Sequence, residues 1–570
     1  MCSSDLVVVC GLGRFGLQVV EALRGCGCRV KVVSDDRTVP EREERARAAG
    51  AEIVRGDFRA ASVRRLADAA PESFLLQSSP QRLLLLGKDP AGTSHAVATL
   101  LHDLGCRWYF ITKDWEVIPR RADVAVRADR VEGPALKVRI LSNGAGSGAS
   151  TRLFEAWCRR NRATSGIMLN SGHSYLAIMA RHRDEFARHP EYLALVDGKR
   201  REPKFCIANT GLRRLVVSDA LAQFERQPSL DSISCDPSDG GGWCECTECA
   251  ALGSVSDRAL LLANEVATAV NAAQPGRLVG MYAYSAHSPP PSIPAHPEVV
   301  ISVATSFIRG GYTVDDLLSG WGAKAAMLGI REYYGVHPWD RDLPGAARGS
   351  NLGYLRSTIP HFHRKGARFM SAESSDNFGP NGLGYYVATR LLWDLREADN
   401  VDSIRADFLD RAFGSARQPM GRFYELLDGT RRQPLCDDLI GRMYRLLEEA
   451  RSLASDAIPI RKRIDELALY VRYAELFLDY SSASGPDRQD AFERMLRHGW
   501  RIRRTGVIHI WGLWQDLPKR DKTVSMPKVA AGADHPWKSE QPVTEPEVSR
   551  SEEHTSELQS RQYLVCRLLL

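Results

Sequence analysis

The chain reads as an α/β protein built in sections: a half Rossmann unit (residues 1–70), a small α/β domain (71–130), a (β/α)8 TIM-like barrel (131–395), a helical domain (396–515) and a disordered tail (516–570). Three observations predict this. A glycine fingerprint joins two apolar runs near the N-terminus, short β-like runs alternate with helical stretches from Leu136 onward, and apolar residues recur at three- and four-residue spacing from Tyr385 to Trp500. Strand–helix alternation is the pattern of a parallel sheet, and the last spacing marks helices with one apolar face. At 570 residues the chain exceeds what one core holds, and its 44% hydrophobic and 26% charged residues are ordinary for globular domains.

The first section opens with a buried-type strand, Leu6 to Cys10, then Gly11-Leu12-Gly13-Arg14-Phe15-Gly16, a helical pattern, and a second strand ending at Ser34-Asp35-Asp36. In this frame Gly11 makes the turn, Gly13 lets a pyrophosphate approach and Gly16 lets helix pack close on strand. The helix N-terminus would hold the phosphates and Asp35 or Asp36 a ribose hydroxyl, so NAD(H) is the predicted cofactor. The alternative is a nucleotide-free unit kept for packing. Ala51 to Asp57 supplies a third strand ending in Gly-Asp. Fingerprint, acid and Gly-Asp together resemble the N-terminal NAD-binding domain of Trk-type potassium-uptake regulators, over roughly residues 6 to 69. That resemblance implies a regulatory role in potassium transport. The composition changes at Ala70-Pro71, before the further strands that would complete a doubly wound sheet.

From residue 71, two paired strands are expected at Ser73–Leu76 and Arg82–Gly87, then a helix from His95 to Leu104 with Gly105 as its C-cap. His95 and His102 read as packing or surface residues. The run Gly-Lys-Asp-Pro-x-Gly-Thr, a helix, Leu-Gly-Cys-Arg-Trp and Val-Ile-Pro resembles the small α/β domain that precedes the barrel in β-hexosaminidases and α-glucuronidases.

Eight barrel strands are predicted at Lys137–Leu141, Gly166–Asn170, Phe205–Asn209, Asp231–Ser234, Val279–Tyr284, Val299–Ala304, Met327–Tyr333 and Arg368–Ala372. His189-Pro190-Glu191-Tyr192, Asp197-Gly198-Lys199-Arg200, Ala283-Tyr284-Ser285, Glu332-Tyr333-Tyr334-Gly335 and Ala372-Glu373-Ser374 resemble the bacterial domain-of-unknown-function 4838 family over about 130 to 430, a family with a glycoside-hydrolase-like barrel. Barrels gather their chemistry at the C-terminal strand ends. There the sequence puts His173, Asp236, Asp239, Tyr282, Tyr284, Glu332, Tyr334 and Glu373.

Several carboxylates among aromatics suit glycoside cleavage, which needs one protonated acid and one carboxylate acting on the anomeric carbon or a water. Sugar C–H faces pack on aromatic rings. Asp239 is the expected acid/base, Glu332 the nucleophile or base, and Glu373 a hydroxyl ligand or a group tuning its neighbours. His173, Asp236, Tyr282, Tyr284 and Tyr334 are expected to bind substrate, a carbohydrate. Each has a structural rival: Glu332 as the partner of Arg331 or Arg368, Asp239 as a cap. A glycan-binding barrel without catalysis is the further alternative.

The loop Ser229 to Ala250 carries Asp236, Asp239, three glycines and the cysteines Cys235, Cys244, Cys246 and Cys249. The barrel needs no cofactor, but these thiols could form a structural zinc site; the alternative is reduced thiols packed beneath the loop. Thirteen dispersed cysteines argue against a disulfide scaffold. A net charge of +6, without basic runs, gives no reason to expect nucleic acid. No apolar stretch is long enough to span a bilayer, and the first residues lack signal-peptide features, so a cytoplasmic chain is expected. Arg550 to Leu570 and the Met1–Leu6 head resemble adapter-derived sequence. This predicts a chimeric reading frame whose barrel parent is an exported protein.

Overall fold

The computed structural model describes residues 6–10, 17, 20–21, 24, 29–34, 40–55, 65–79, 82–120, 125–143, 148–527, 537–541 and 543. Gly11, Gly13, Gly16, Asp35, Asp36 and the residues beyond 543 lie outside them. In chain order the strands are β1 (Leu6–Cys10), β2 (Arg29–Ser34), β3 (Glu52–Arg55), β4 (Phe74–Ser79), β5 (Arg82–Gly87), the short pair β6 (Arg107–Trp108) and β7 (Glu116–Val117), and β8 (Asp129–Glu132). There follow β9 (Val138–Asn143), β10 (Leu193–Val196), β11 (Lys199–Phe205), β12 (Ser232–Ser234), β13 (Leu278–Ser285), β14 (Val299–Ile308), β15 (Met327–Tyr333) and β16 (Ala367–Ser374).

The first sheet does not stop at Ala70-Pro71. Its order is β3-β2-β1-β5-β4-β8, with β1 parallel to both β2 and β5 and with β4 antiparallel to β5. β5 therefore takes the place that the fourth strand holds in a doubly wound sheet. One core crosses the junction: Val30, Val32 and Ala46 cluster with Phe74, Leu76, Leu85, Val97 and Leu100. The expected separation into a half unit and a neighbouring domain is thus replaced by one continuous sheet, because the backbone of β5 pairs in parallel with the edge of β1 that β2 leaves open.

The second sheet is a parallel half-barrel in the order β12-β13-β14-β15-β16-β9. Its helices start where side chains satisfy the first amides: Ser254 with Asp257 before Val255–Ala273, and Thr313 with Asp316 before Val314–Gly322, form reciprocal capping boxes. Two expected strands do not form. Phe205 ends β11, which pairs antiparallel with β10 across an Asp197-Gly198 turn whose φ angles are 51° and 72°. Asp-Gly at positive φ is the preferred two-residue hairpin turn. Gly166–Asn170 runs as coil beside β12, held by Ser232 Oγ, which accepts from Asn170 N at 2.7 Å and donates to Met168 O at 2.8 Å.

The pleat sorts the side chains. Val138, Leu278, Val300 and Phe369 form the cluster enclosed by the half-barrel, while Val279, Met281, Ile301, Val303, Ile330, Met370 and Ala372 face the helices. The C-terminal region is helical, with Val401–Phe413, Arg417–Leu427, Asp437–Leu453, Ile458–Ser482 and Gly485–Ile502. The expected tail is ordered further than 516: Leu517–Arg520 is helical, and Trp537 packs on Trp500 and Trp514 at 5.3 and 5.8 Å. Burying that indole outweighs the polar, proline-bearing composition around it.

A buried ionic cluster joins the first sheet to the half-barrel. Arg139 of β9 is fully buried and donates to Glu72, to Arg162 O at 3.1 Å and to Leu136 O at 2.6 Å. Glu72 also accepts from His95 Nε2 at 3.0 Å, and His95 meets Trp393 edge-on at 4.8 Å. Although burial opposes its charge, hydrogen bonds from His95 and Arg139 hold Glu72 below the usual carboxylate range. Burial drives the His95 pKa down against the pull of Glu72.

Removing one partner of a buried pair strands the other charge, so Glu72→Ala should cost about 3–5 kcal/mol in denaturant unfolding. The unfolded chain takes up a proton on His95 below about pH 6.5 while the folded ring resists, so this group's contribution is present above that pH and lost below it. Thermal melts from pH 7.5 to 5.5 should show the midpoint falling, with a shallower fall in His95→Gln; identical slopes would contradict the assignment.

Candidate active site

β12 is three residues long and its outer edge needs a partner. Asp236, just beyond it, provides the connection. The side chain is fully buried; Oδ2 lies 2.7 Å from His173 Nδ1 and Oδ1 accepts from Tyr282 N at 2.8 Å. Ser174 N donates to Asp236 O at 2.9 Å, and His173 and Asp236 form a parallel bridge. His173 Nδ1 also lies 2.7 Å from Pro237 O. Burial opposes a charged imidazole here, but the hydrogen bond and field of Asp236 outweigh it and raise the His173 pKa. Asp236 therefore positions His173 and does not face the mouth. His173 itself is one-third exposed.

Asp239 lies three residues on, exposed, and its Oδ1 accepts from Tyr284 Oη at 3.1 Å and Gly240 N at 2.8 Å. Burial and then the Asp239 charge push the Tyr284 hydroxyl upward, so it remains a donor. Beneath the loop, buried Lys204 donates to the carbonyls of Ser238 and Asp239 and sits over Trp243 at 5.3 Å. Desolvation takes its ammonium down to about 8, against the fields of Asp236 and Asp239. Lys204 was not singled out in the sequence; a lone lysine one residue before the end of β11 gives no periodic signal.

The two glutamates separate by the pleat. Glu373 of β16 faces the enclosed side, 38% exposed, and Oε2 accepts from Arg331 NH2 at 2.7 Å. Arg331 also lies over the rings of Tyr282 and Tyr333 at 5.6 and 5.5 Å. Glu332 is not brought to the mouth. It lies on the helix side, wholly buried, where Oε1 accepts from Thr305 Oγ1, Arg348 NH1 at 3.1 Å and Tyr354 Oη at 2.9 Å. Its neighbours in β15, Arg331 and Tyr333, are the ones that point inward. Tyr334 is likewise fully buried, and burial raises its hydroxyl pKa far above the ordinary value, so it is core and not a substrate contact.

An aromatic wall lines the same mouth. Phe307 meets Tyr284 at 5.4 Å, Tyr333 at 6.1 Å and Trp339 at 5.4 Å, with Phe307 50% and Trp339 48% exposed. Phe307 adopts φ 59°, a left-handed backbone that costs a bulky residue about 1–3 kcal/mol. The adjoining cavity, of about 610 Å³, is lined by Ile140, Asn170, His173, Tyr282, Arg331 and Ser371, among others. Arg331, Tyr333, Phe307 and Trp339 were missed in the sequence because only the pleat and loop geometry bring them together.

Four thiols converge behind the loop, and Cys235 is not among them. Cys206, Cys244, Cys246 and Cys249 are buried with their Sγ atoms all within 4.8 Å of one another. Cys235 is buried separately beside Asp236, and burial raises its thiol pKa. Cys206, at the exit of β11, takes its place; no short spacing connects it to the others.

Residues 110–425 match the family model described as Domain of unknown function (DUF4838), and residues 7–73 match the TrkA-N domain model. No curated protein matches the chain. Among solved structures, one titled "Structure of CpGH84B" is similar over 91% of this chain and 90% of that one, at 11% identity and a TM-score of 0.42.

In Asp236→Asn the charge beside His173 disappears, and the His173 titration midpoint should fall. An NMR titration of the imidazole reads this directly; an unchanged midpoint would remove Asp236 as its cause.

Proposed function

The chain belongs to the DUF4838 family, and we propose that its half-barrel binds and hydrolyses a glycan at the mouth formed by Asp239, Glu373, His173 and the aromatic wall. The observation that carries this reading is the exposed Phe307–Trp339 surface beside two accessible carboxylates. Protein cores do not leave large rings half-exposed at an energetic cost in the backbone, whereas a sugar face packs on such rings. Asp239 acts as acid/base on its exposed loop. Glu373, held by the Arg331 guanidinium at 2.7 Å, takes the second carboxylate role that the sequence suggested for Glu332. His173 contributes a hydrogen bond to a sugar hydroxyl, fixed by Asp236.

The test is release of reducing ends from a panel of oligosaccharides and aryl glycosides. Asp239→Asn and Glu373→Gln should each lower kcat by about 10²–10⁴ with the fold retained. Glu332→Gln should keep turnover, and Trp339→Ala should weaken binding about tenfold, or about 1.4 kcal/mol. Turnover lost in Glu332→Gln but kept in Glu373→Gln would overturn the assignment; binding without any turnover would leave a lectin-like barrel.

A second reading belongs to the first sheet. The parallel run β3-β2-β1-β5 sets the C-terminal ends of β1 and β5 side by side, the place where doubly wound sheets take dinucleotides. We infer NAD(H) binding there, with Asp35 or Asp36 on the ribose. Calorimetric titration should give saturable heat with NAD+ or NADH that is lost in the Asp35→Ala/Asp36→Ala double variant; no heat from either nucleotide would dismiss it.

A further inference from the structure

We propose that Cys206, Cys244, Cys246 and Cys249 form a closed tetrathiolate zinc site that clamps the Asp239 loop to the β10–β11 hairpin. The four Sγ atoms lie within 4.8 Å of one another, and three of their separations are 3.4 Å (Cys244–Cys246), 3.7 Å (Cys206–Cys246) and 3.8 Å (Cys206–Cys249). A zinc ion bonded to four sulfurs at about 2.3 Å sets tetrahedral edges of about 3.8 Å. A disulfide needs about 2.05 Å. The spacing is that of ligands around an ion and not of bonded or randomly packed thiols.

The surroundings suit thiolates. Backbone amides of Leu195, Ala208 and Cys249 donate to Cys244, Cys249 and Cys246 at 3.3, 3.4 and 3.4 Å. The Arg200 guanidinium lies 3.8 Å from Cys244 Sγ. Zinc with four thiolates carries two net negative charges, and this shell of N–H dipoles and one cation offsets them, as donors around metal ligands do. Cys246-Thr247-Glu248-Cys249 has the two-residue spacing of a zinc knuckle, while Cys206 comes from a separate element. All four sulfurs are buried, so the site offers no open position for substrate: its role is structural. Soft, tetrahedral four-sulfur ligation selects zinc or iron, and the ion proposed is zinc, which is colourless in such a site.

What the ion holds follows from the chain path. Glu245 N donates to Leu195 O at 2.8 Å, and Asp197 N donates to Glu245 Oε2 at 2.9 Å, so the cysteine segment already lies along the hairpin. The site does not rest on the glycan reading, and its test reads metal and not turnover.

The full chain, expressed with zinc supplementation and purified without chelators, should contain one zinc per chain by plasma mass spectrometry. A mercurial thiol reagent should release it in step with four thiols. Cys206→Ser should lose the zinc and Cys235→Ser should keep it. Where Cys206→Ser fails to fold, the wild-type chain refolded with cobalt should show the intense visible absorption of a tetrahedral cobalt thiolate. Folded protein with substoichiometric zinc and freely titrating cluster thiols would overturn the proposal. So would an iron centre, a metal-free Cys235→Ser, or cobalt refolding without that absorption.

Discussion

The half-barrel depends on how its short edge strand is sealed. β12 spans only three residues, too few to stabilise a sheet edge through a ladder of its own. The segment 168–174 closes that edge by side-chain bonds instead. Ser232 Oγ and O take up Asn170, Ser234 Oγ donates to Gly172 O, and the Asp236 carboxylate ties His173 to the backbone of β13. Asn170 O runs so close to Gly280 that a Cβ there would lie 2.1 Å from it, which is why glycine stands in the middle of β13. A buried carboxylate is tolerated because both oxygens are paired. The same bonds that seal the edge also orient His173 at the mouth.

Strand periodicity decides which carboxylates can act together. Two successive residues of a strand face opposite ways, so Glu332 and Tyr333 cannot both face the cavity. Arg331 and Tyr333 point inward, and this sends Glu332 to Thr305, Arg348 and Tyr354 on the helix side. Glu373, one strand over and opposite Tyr333 in register, points inward with it. The relevant signal was present in the sequence: β15 reads Met-Leu-Gly-Ile-Arg-Glu-Tyr, and placing Ile330 against the helices places Glu332 there too. A parallel strand buried on both faces lacks the apolar–polar alternation that would have made this legible.

Local patterns carried most of the fold. Strand–helix alternation located six barrel strands, and the spacing of apolar residues located the C-terminal helices. What escaped depends on contacts distant in sequence. Gly166–Asn170 has strand-like composition but meets a partner too short for a ladder, and Phe205 was drawn into a hairpin by the Asp197-Gly198 turn. The pairing of β5 with β1 joins segments separated by the Ala70-Pro71 composition break. Cys206 lies 38 residues before Cys244, outside any motif a local reading would recognise.

The loop between β12 and Thr247 also shows how an exposed acid can be held in place. Three consecutive glycines, with φ of 80° at Gly240 and 81° at Gly242, would by themselves make this segment among the least ordered in the chain. Its two ends remove that freedom. On one side Asp236 is locked between His173 and Tyr282, and Lys204 grips the carbonyls of Ser238 and Asp239 from below. On the other, Cys244 and Cys246 are buried against the β10–β11 hairpin. The glycines bridge two fixed points, and Tyr284 sets the carboxylate orientation. An acid that meets substrate gains from being positioned before the substrate arrives, since little ordering then remains to be done on binding. The cost is a lysine and four thiols buried behind the loop, which packing alone would not favour.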